Sequence, residues 1–72
     1  MIIDGYGPFL FEIGDTVRGK DDPGTTVKIT SAGYEYVWYE VLTVGADLDV
    51  PIGESLCTRT ERFEDQWELV KD

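Results

Sequence analysis

The amino-acid sequence predicts a small all-β domain, and three observations support this fold class. Eight glycines and three prolines in 72 residues favour many tight turns over long helices. Residues 25–31 alternate apolar and polar side chains, as a half-buried strand does. Residues 34–44 are rich in aromatic and β-branched residues and form the longest strand signal in the chain. We therefore expect a single β-domain that spans residues 1–72.

Turn signals between these runs divide the chain into five strands. Residues 20–24 predict a tight turn, because proline presets φ and glycine supplies positive φ. A capping hydroxyl at Thr60, followed by helix-tolerant residues, predicts one short helical turn over 60–65. Residues 45–53 are predicted to form the loop before the strand at residues 54–60. The predicted strands lie at residues 16–19, 25–31, 34–44, 54–60 and 66–70.

Both faces of the long predicted strand are apolar, and only one of them can point to the core of so small a domain. Val37, Tyr39 and Val41 lie on one face, and we expect this face to be buried. The residues expected to pack against them are Val27, Ile29, Leu56 and Leu69. The opposite face, which carries Tyr34, Tyr36 and Trp38, is then expected to point outward. Exposed aromatic residues of this kind mark protein interfaces.

Residues 1–8 are predicted to be an N-terminal arm, because two glycines and a proline interrupt any regular element there. The residues expected to dock the arm on the body of the domain are Phe9, Leu10, Phe11 and Ile13. An arm docked over Tyr36 and Trp38 would hide both rings, whereas an arm docked elsewhere would leave them exposed. The sequence leaves both arrangements open.

The chain is strongly acidic, with 15 acidic and six basic residues and a net charge of −9. This charge opposes direct binding to nucleic acid or to anionic membranes. Within the more acidic second half, Glu61, Glu64, Asp65 and Glu68 are predicted to contact a partner protein. Together with Glu54, the same residues permit an alternative, in which their carboxylates imitate phosphates and occupy the basic groove of a nucleic-acid-binding protein.

The residue types present disfavour catalysis and metal binding. The chain has no histidine, which is the commonest general acid and base. Cys57 is expected to be a small buried residue, with only Arg59 close enough in sequence to activate it. Asp47, Asp49 and Glu54 supply oxygen ligands, but not in the order of a calcium-binding EF-hand loop. We predict no catalytic residue, no metal and no cofactor.

The sequence predicts neither a disulfide, nor a signal peptide, nor a membrane-spanning segment. A single cysteine excludes an intrachain disulfide, and the N-terminal residues lack the basic and apolar regions of a signal peptide. No run approaches the roughly 20 apolar residues that span a bilayer. We therefore expect a cytoplasmic protein that does not interact with membranes.

Three segments carry a resemblance to a known superfamily. Residues 11–17 are FEIGDTV, residues 36–41 are YVWYEV and residues 63–70 are FEDQWELV. In this order they resemble the SH3-like small β-barrels, in their KOW and Tudor variants, over residues 12–71. The resemblance implies a five-stranded barrel with a helical turn before the last strand. The chain lacks the acidic loop and the Trp-Trp or Trp-Lys pair of peptide-binding SH3 domains, so recognition of proline-rich peptides is not implied.

These observations together predict a non-enzymatic module that binds another protein. It would act as an accessory or structural subunit, of a phage or bacterial assembly. The predicted contact residues are Tyr34, Tyr36, Trp38, Glu61, Glu64, Asp65 and Glu68. The alternative function is that of an acidic inhibitor that competes with nucleic acid. The sequence makes no prediction of the oligomeric state.

Overall fold

The structure, a computed structural model, describes residues 1–45 and 50–70. These residues form seven strands and one helix. The strands are β1 (Ile2–Ile3), β2 (Gly7–Pro8), β3 (Thr16–Gly19), β4 (Thr26–Ala32), β5 (Tyr36–Thr43), β6 (Ser55–Arg59) and β7 (Trp67–Leu69), and helix α1 (Thr60–Gln66) lies between β6 and β7. The predicted all-β class is confirmed, and the five predicted strands correspond to β3 to β7.

Strands β3 to β7 form one antiparallel sheet in the order β6-β5-β4-β3-β7. Val27 lies at its centre, because it is opposite Val17 on β3 and opposite Val41 on β5. The chain returns after α1, and β7 pairs with β3. In the described part of the chain no pairing joins the two outer strands, β6 and β7, so a closed barrel is not observed.

The core lies on one face of this sheet, as the alternation of side chains predicts. Val37, Tyr39 and Val41 are buried, together with Val27 and Ile29, and this part of the predicted core is confirmed. The prediction for Leu69 is wrong, because its side chain is 42% exposed. Leu69 lies opposite the buried Val17. However, β7 is an outer strand of the sheet, and no further strand covers its free side in the described residues.

Phe63 on α1 is the centre of an aromatic cluster that fills the core. Its ring is fully buried, and its centroid lies 5.3 Å from that of Tyr39 and 5.7 Å from those of Phe11 and Trp67. Phe9 extends the cluster at 6.4 Å. Aromatic rings at these separations contribute attraction beyond the area that they bury. Helix, sheet and N-terminal segment therefore meet at one side chain.

The N-terminal arm is a hairpin, which corrects the prediction that no regular element forms there. Strands β1 and β2 pair antiparallel, and Gly5 and Gly7 make the turn possible with φ values of 82° and 106°. The N-terminal ammonium group donates to the Phe9 carbonyl at 3.0 Å. Phe9 and Phe11 are buried as predicted. Leu10 and Ile13, which were also expected to dock the arm, are exposed.

Helix α1 confirms the predicted helical turn but not its predicted cap. Arg59 is the N-cap residue, and no side chain caps the helix. Thr60 is the first helical residue and is buried. Its hydroxyl donates to the Gly33 carbonyl at 2.6 Å, so it ties the helix to the turn between β4 and β5. The hydroxyl that the sequence assigned to capping therefore satisfies a buried tertiary contact.

The buried face of β5 can be tested with Val41→Ala. Val41 is 2% exposed, so we expect this change to lower the free energy of unfolding. The loss should be about 1–3 kcal/mol, from lost transfer energy and the cavity left behind. Urea denaturation measures it, and Thr30→Ala on the exposed face of β4 is the control. Equal denaturation midpoints for the two variants would contradict the assigned face.

Candidate protein-interaction surface

Strand β5 presents two large aromatic side chains to solvent. Tyr36 and Trp38 alternate with the buried Val37 and Tyr39, and their side chains are 41% and 46% exposed. Successive residues of a strand point to opposite faces of the sheet. Because the face with Val37 and Tyr39 is buried, the rings of Tyr36 and Trp38 must point outward. Tyr34, just before β5, is 60% exposed. All three predicted aromatic contact residues are therefore exposed.

The N-terminal arm does not cover the exposed rings of β5. Phe9 and Phe11, the apolar anchors of the arm, pack on Phe63 at the buried face of the sheet. Of the two arrangements left open by the sequence, the structure has the one that leaves Tyr36 and Trp38 uncovered. The aromatic face is thus a feature of the folded chain itself.

Strand β6 completes this surface beside β5. Arg59 lies opposite Tyr36 in the sheet register, and Cys57 lies opposite Trp38. The Arg59 guanidinium carbon is 5.9 Å from the centroid of the Tyr36 ring, within the range of a cation–π contact. The prediction that Cys57 is buried is wrong, because its parity along the strand places it on the outer face with Trp38. We call Tyr36, Trp38, Cys57 and Arg59 the aromatic surface.

A cleft of about 260 Å³ adjoins the aromatic surface at its Arg59 end. Its lining consists of Gly5, Tyr6, Tyr34, Glu35, Arg59 and Glu61. Gly5 is close to the Tyr34 ring, and a Cβ atom there would lie 3.5 Å from it. The hairpin of the arm therefore forms one wall of the cleft. Sequence reasoning missed Tyr6 and Glu35, because only the folded hairpin brings residues so distant in sequence together.

The four predicted acidic contact residues do not form one group. Glu61, Glu64 and Asp65 lie on α1, whereas Glu68 lies on β7. The Glu68 carboxylate accepts a bond from the Arg18 guanidinium at 3.0 Å and is thereby partly neutralised. The remaining acidic residues lie near the arm rather than across one continuous rim.

Glu64 connects helix α1 to the N-terminal arm. Its carboxylate accepts hydrogen bonds from the Tyr6 hydroxyl and, at 2.9 Å, from the Leu10 amide. The hydrogen bond to Glu64, followed by burial and by the charges of Glu64, Glu61 and Asp65, raises the pKa of Tyr6 to about 12. Of the predicted contact residues, Glu64 thus already has an intramolecular role.

The raised pKa of Tyr6 predicts a loss of stability at high pH. The ordinary pKa is 10.0 and the folded value is about 12, so the neutral phenol is favoured by folding. This stabilisation is fully present below the unfolded pKa and disappears as the pH rises through the folded value. We expect the free energy of unfolding, measured with urea, to fall between pH 10 and pH 12.

Tyr6→Phe is the control for this titration, because it removes the ionising hydroxyl and keeps the ring. The variant should show a smaller fall over the same pH range. Ultraviolet absorbance of tyrosinate should also show a step near pH 12 from Tyr6, and that step should be absent from the variant. Equal pH dependence of the two proteins would contradict the assignment.

The structure contains a second, apolar cavity on the opposite side of the sheet. It measures about 180 Å³, and its lining includes Tyr39, Val41, Leu56 and Trp67. The Trp67 indole nitrogen is buried and has no hydrogen-bond partner within the described residues. This cavity belongs to the core and is separate from the aromatic surface.

The described residues contain neither a cluster of metal ligands nor a membrane-spanning helix. In segments 1–45 and 50–70, no three acidic or cysteine side chains come close enough to hold a metal ion. Asp47 and Asp49, the ligand candidates from the sequence, lie outside the described residues. No helix in those two segments is long and apolar enough to cross a membrane.

Comparison with known proteins assigns no family to this chain. No protein-family model matches it, no curated protein matches it, and no solved structure matches it. Its function therefore has to be inferred from the geometry of the aromatic surface and the cleft beside it.

Proposed function

We propose that this chain is a non-enzymatic module that binds another protein through the aromatic surface. The observation that carries the proposal is the exposure of Tyr36 and Trp38 on a central, well-paired strand. Both rings are large and stiff, and each has a polar group that can bond to a partner while its apolar area is buried. Residues of this type dominate the binding energy of protein interfaces. As a partner-binding subunit, the chain would need no catalytic group.

We also propose that the sheet is a variant of the SH3-like barrel. The strand order supports this proposal, because four strands follow each other as neighbours and the last returns beside the first. The helical segment directly before the last strand also agrees with the resemblance in sequence. The aromatic surface would then lie on the outside of the barrel, formed by its third and fourth strands.

Mimicry of nucleic acid is a second candidate function, favoured by the acidic residues of α1. Glu61, Glu64 and Asp65 all act electrostatically on the Tyr6 hydroxyl, so their charges are concentrated in one region. Such a region could compete with phosphates for a basic groove. The Arg18–Glu68 ion pair weakens this candidate, since it partly neutralises one of the five acidic residues expected to imitate phosphates.

Partner capture followed by a salt series tests the two candidates. The tagged chain is used to capture proteins from a lysate of its source organism, and each captured protein is purified and its affinity measured. Binding through the aromatic surface should keep most of its affinity from low to high salt, because burial of the apolar rings is not screened, and it should weaken in Trp38→Ala. Binding by charge mimicry should weaken by orders of magnitude with salt and should not depend on Trp38. A partner whose affinity falls by orders of magnitude with salt and is unchanged by Trp38→Ala would contradict the first proposal.

A further inference from the structure

Strand β6 has one edge that none of the described residues pairs with, and the hydrogen bonds to β5 show which residues form it. The Thr60 amide donates to the Glu35 carbonyl at 2.9 Å, and the Val41 amide donates to the Glu54 carbonyl at 3.0 Å. In an antiparallel pair, such bonds recur at every second residue. The even-numbered residues of β6 therefore direct their backbone groups toward β5. The amides of Ser55, Cys57 and Arg59 point the other way, along the outer edge of the sheet.

No group in the described part of the chain pairs with this edge. Strand β6 is the last strand in the sheet order, and no hydrogen bond to the amides of Ser55, Cys57 and Arg59 is present in those residues. All three residues are exposed. Natural sheets protect such edges with charged side chains, proline or a bulge. Strand β6 contains no proline and pairs with β5 in unbroken register, and its charged residue is Arg59 at its last position. An edge of this kind can accept an additional strand.

A strand added at this edge would be continuous with the aromatic surface. The side chains of Cys57 and Arg59 lie on the same face as those of Trp38 and Tyr36. Adjacent strands are about 4.8 Å apart, so an added strand would lie roughly 10 Å from β5. A lysine or arginine side chain that leans toward β5 covers part of this distance, and a cation–π contact bridges up to about 6 Å more. Such a side chain would be favoured at the face of the Trp38 ring, since Arg59 already lies over the Tyr36 ring.

The charge around β6 also favours a basic strand. Four acidic residues flank it: Glu35 and Glu54, whose carbonyls accept hydrogen bonds at its two ends, Glu40, which is opposite Ser55, and Glu61, which follows it on α1. The cation on β6 is Arg59, which lies 4.0 Å from the Glu61 carboxylate, so the acidic residues outnumber the basic one. Two of these carboxylates also line the cleft at the Arg59 end. A second copy of the chain would bring its own net charge of −9, which opposes self-association through this edge.

We propose that β6 accepts an extended segment rich in lysine or arginine from the partner protein, as an additional strand of the sheet. This inference rests on the proposed function and specifies the chemistry of the partner. Backbone hydrogen bonds to Ser55, Cys57 and Arg59 hold the segment. Its basic side chains contact the aromatic surface and the carboxylates of the cleft.

Amide hydrogen exchange with synthetic peptides tests the proposal. The probe is a short peptide that alternates lysine with valine, and its matched control alternates glutamate with valine. At about 1 mM of the basic peptide, exchange of the Ser55, Cys57 and Arg59 amides should slow by about tenfold, since backbone pairing binds peptides of varied sequence. The amides of Leu56 and Thr58 already pair with β5 and should change less. The acidic peptide should have no effect.

Cys57→Pro blocks the edge without removing a bond between β5 and β6, because the Cys57 amide points away from β5. This variant should lose binding of the basic peptide, whereas Thr30→Ala on β4, outside the aromatic surface, should keep it. The exchange measurement on the unmodified protein decides the question if Cys57→Pro does not fold.

Two exchange results would overturn the proposal. The first is unchanged exchange at all three edge amides with the basic peptide present. The second is protection of these amides in the free protein that increases with its concentration, since this would assign the edge to a second copy. Binding of the captured partner to the two variants separates failure of this inference from failure of the proposed function. If Trp38→Ala loses binding and Cys57→Pro keeps it, the added strand alone is rejected. If both variants keep binding, the aromatic surface is rejected as well.

Discussion

Phe63→Ala should destabilise the fold more than any other single change considered for this chain, by about 3–5 kcal/mol. The ring is fully buried and lies within 6.4 Å of the ring centroids of Phe9, Phe11, Tyr39 and Trp67. Its removal takes apolar area out of the core and leaves a cavity that helix, sheet and arm all border. Domains of this size are stable by only roughly 4–11 kcal/mol, so the loss is a large share of the total.

Urea denaturation followed by fluorescence measures this loss, and Phe63→Leu is the matched control. Leucine retains most of the apolar volume, so its expected cost is about 1–2 kcal/mol. If Phe63→Ala is unfolded under all conditions, the leucine variant still provides a measurable value. Equal unfolding free energies for wild type and both variants would show that Phe63 is not the centre of the core.

Trp38→Ala should have the opposite profile, with a small effect on stability and a large one on binding. Its side chain is 46% exposed, and surface substitutions of this kind change stability by about 0.5 kcal/mol or less. As an anchor in a protein interface, the same ring should contribute at least about 2 kcal/mol, or about a 30-fold change in Kd. Isothermal titration with the captured partner measures the change in Kd.

Ile52→Ala is the control for binding, because Ile52 is also a large exposed apolar residue but lies outside the aromatic surface. Acrylamide quenching gives an independent measurement. With Trp67→Phe in the background, fluorescence reports Trp38 alone, and quenching should be strong in the free protein and weak in the complex. Weak quenching in the free protein would show that Trp38 is covered, and would direct attention to the acidic residues of α1.

Alternation along the strands was the most reliable information in the sequence. On β4 and β5 it identified Val27, Ile29, Val37 and Val41 as buried, and it placed Trp38 on the opposite face. The reason is physical and local, because neighbouring residues of a strand must point to opposite sides of the sheet. Once one face is buried, the orientation of every other side chain on the strand follows.

The same reasoning was wrong where burial depends on which element covers a residue. Leu69 has the parity of a core residue and lies opposite the buried Val17, but it is on an outer strand. Cys57 has the chemical character of a buried residue, yet its register with Trp38 places it outside. Neither the position of a strand in a sheet nor its register against a neighbour is contained in the local pattern.

The candidate site also has one part that the sequence could predict and one part that only the structure reveals. The aromatic residues Tyr36 and Trp38 could be proposed from the sequence because one strand carries both. The cleft could not, because it joins Tyr6 of the arm to Glu35 before β5 and Glu61 on α1. Sequence by itself determined the strands, their buried faces and the acidic charge, since these follow from local chemistry. Tertiary structure alone decided the position of the arm, the centre of the core and the open edge of β6, since each depends on contacts between residues far apart in the chain.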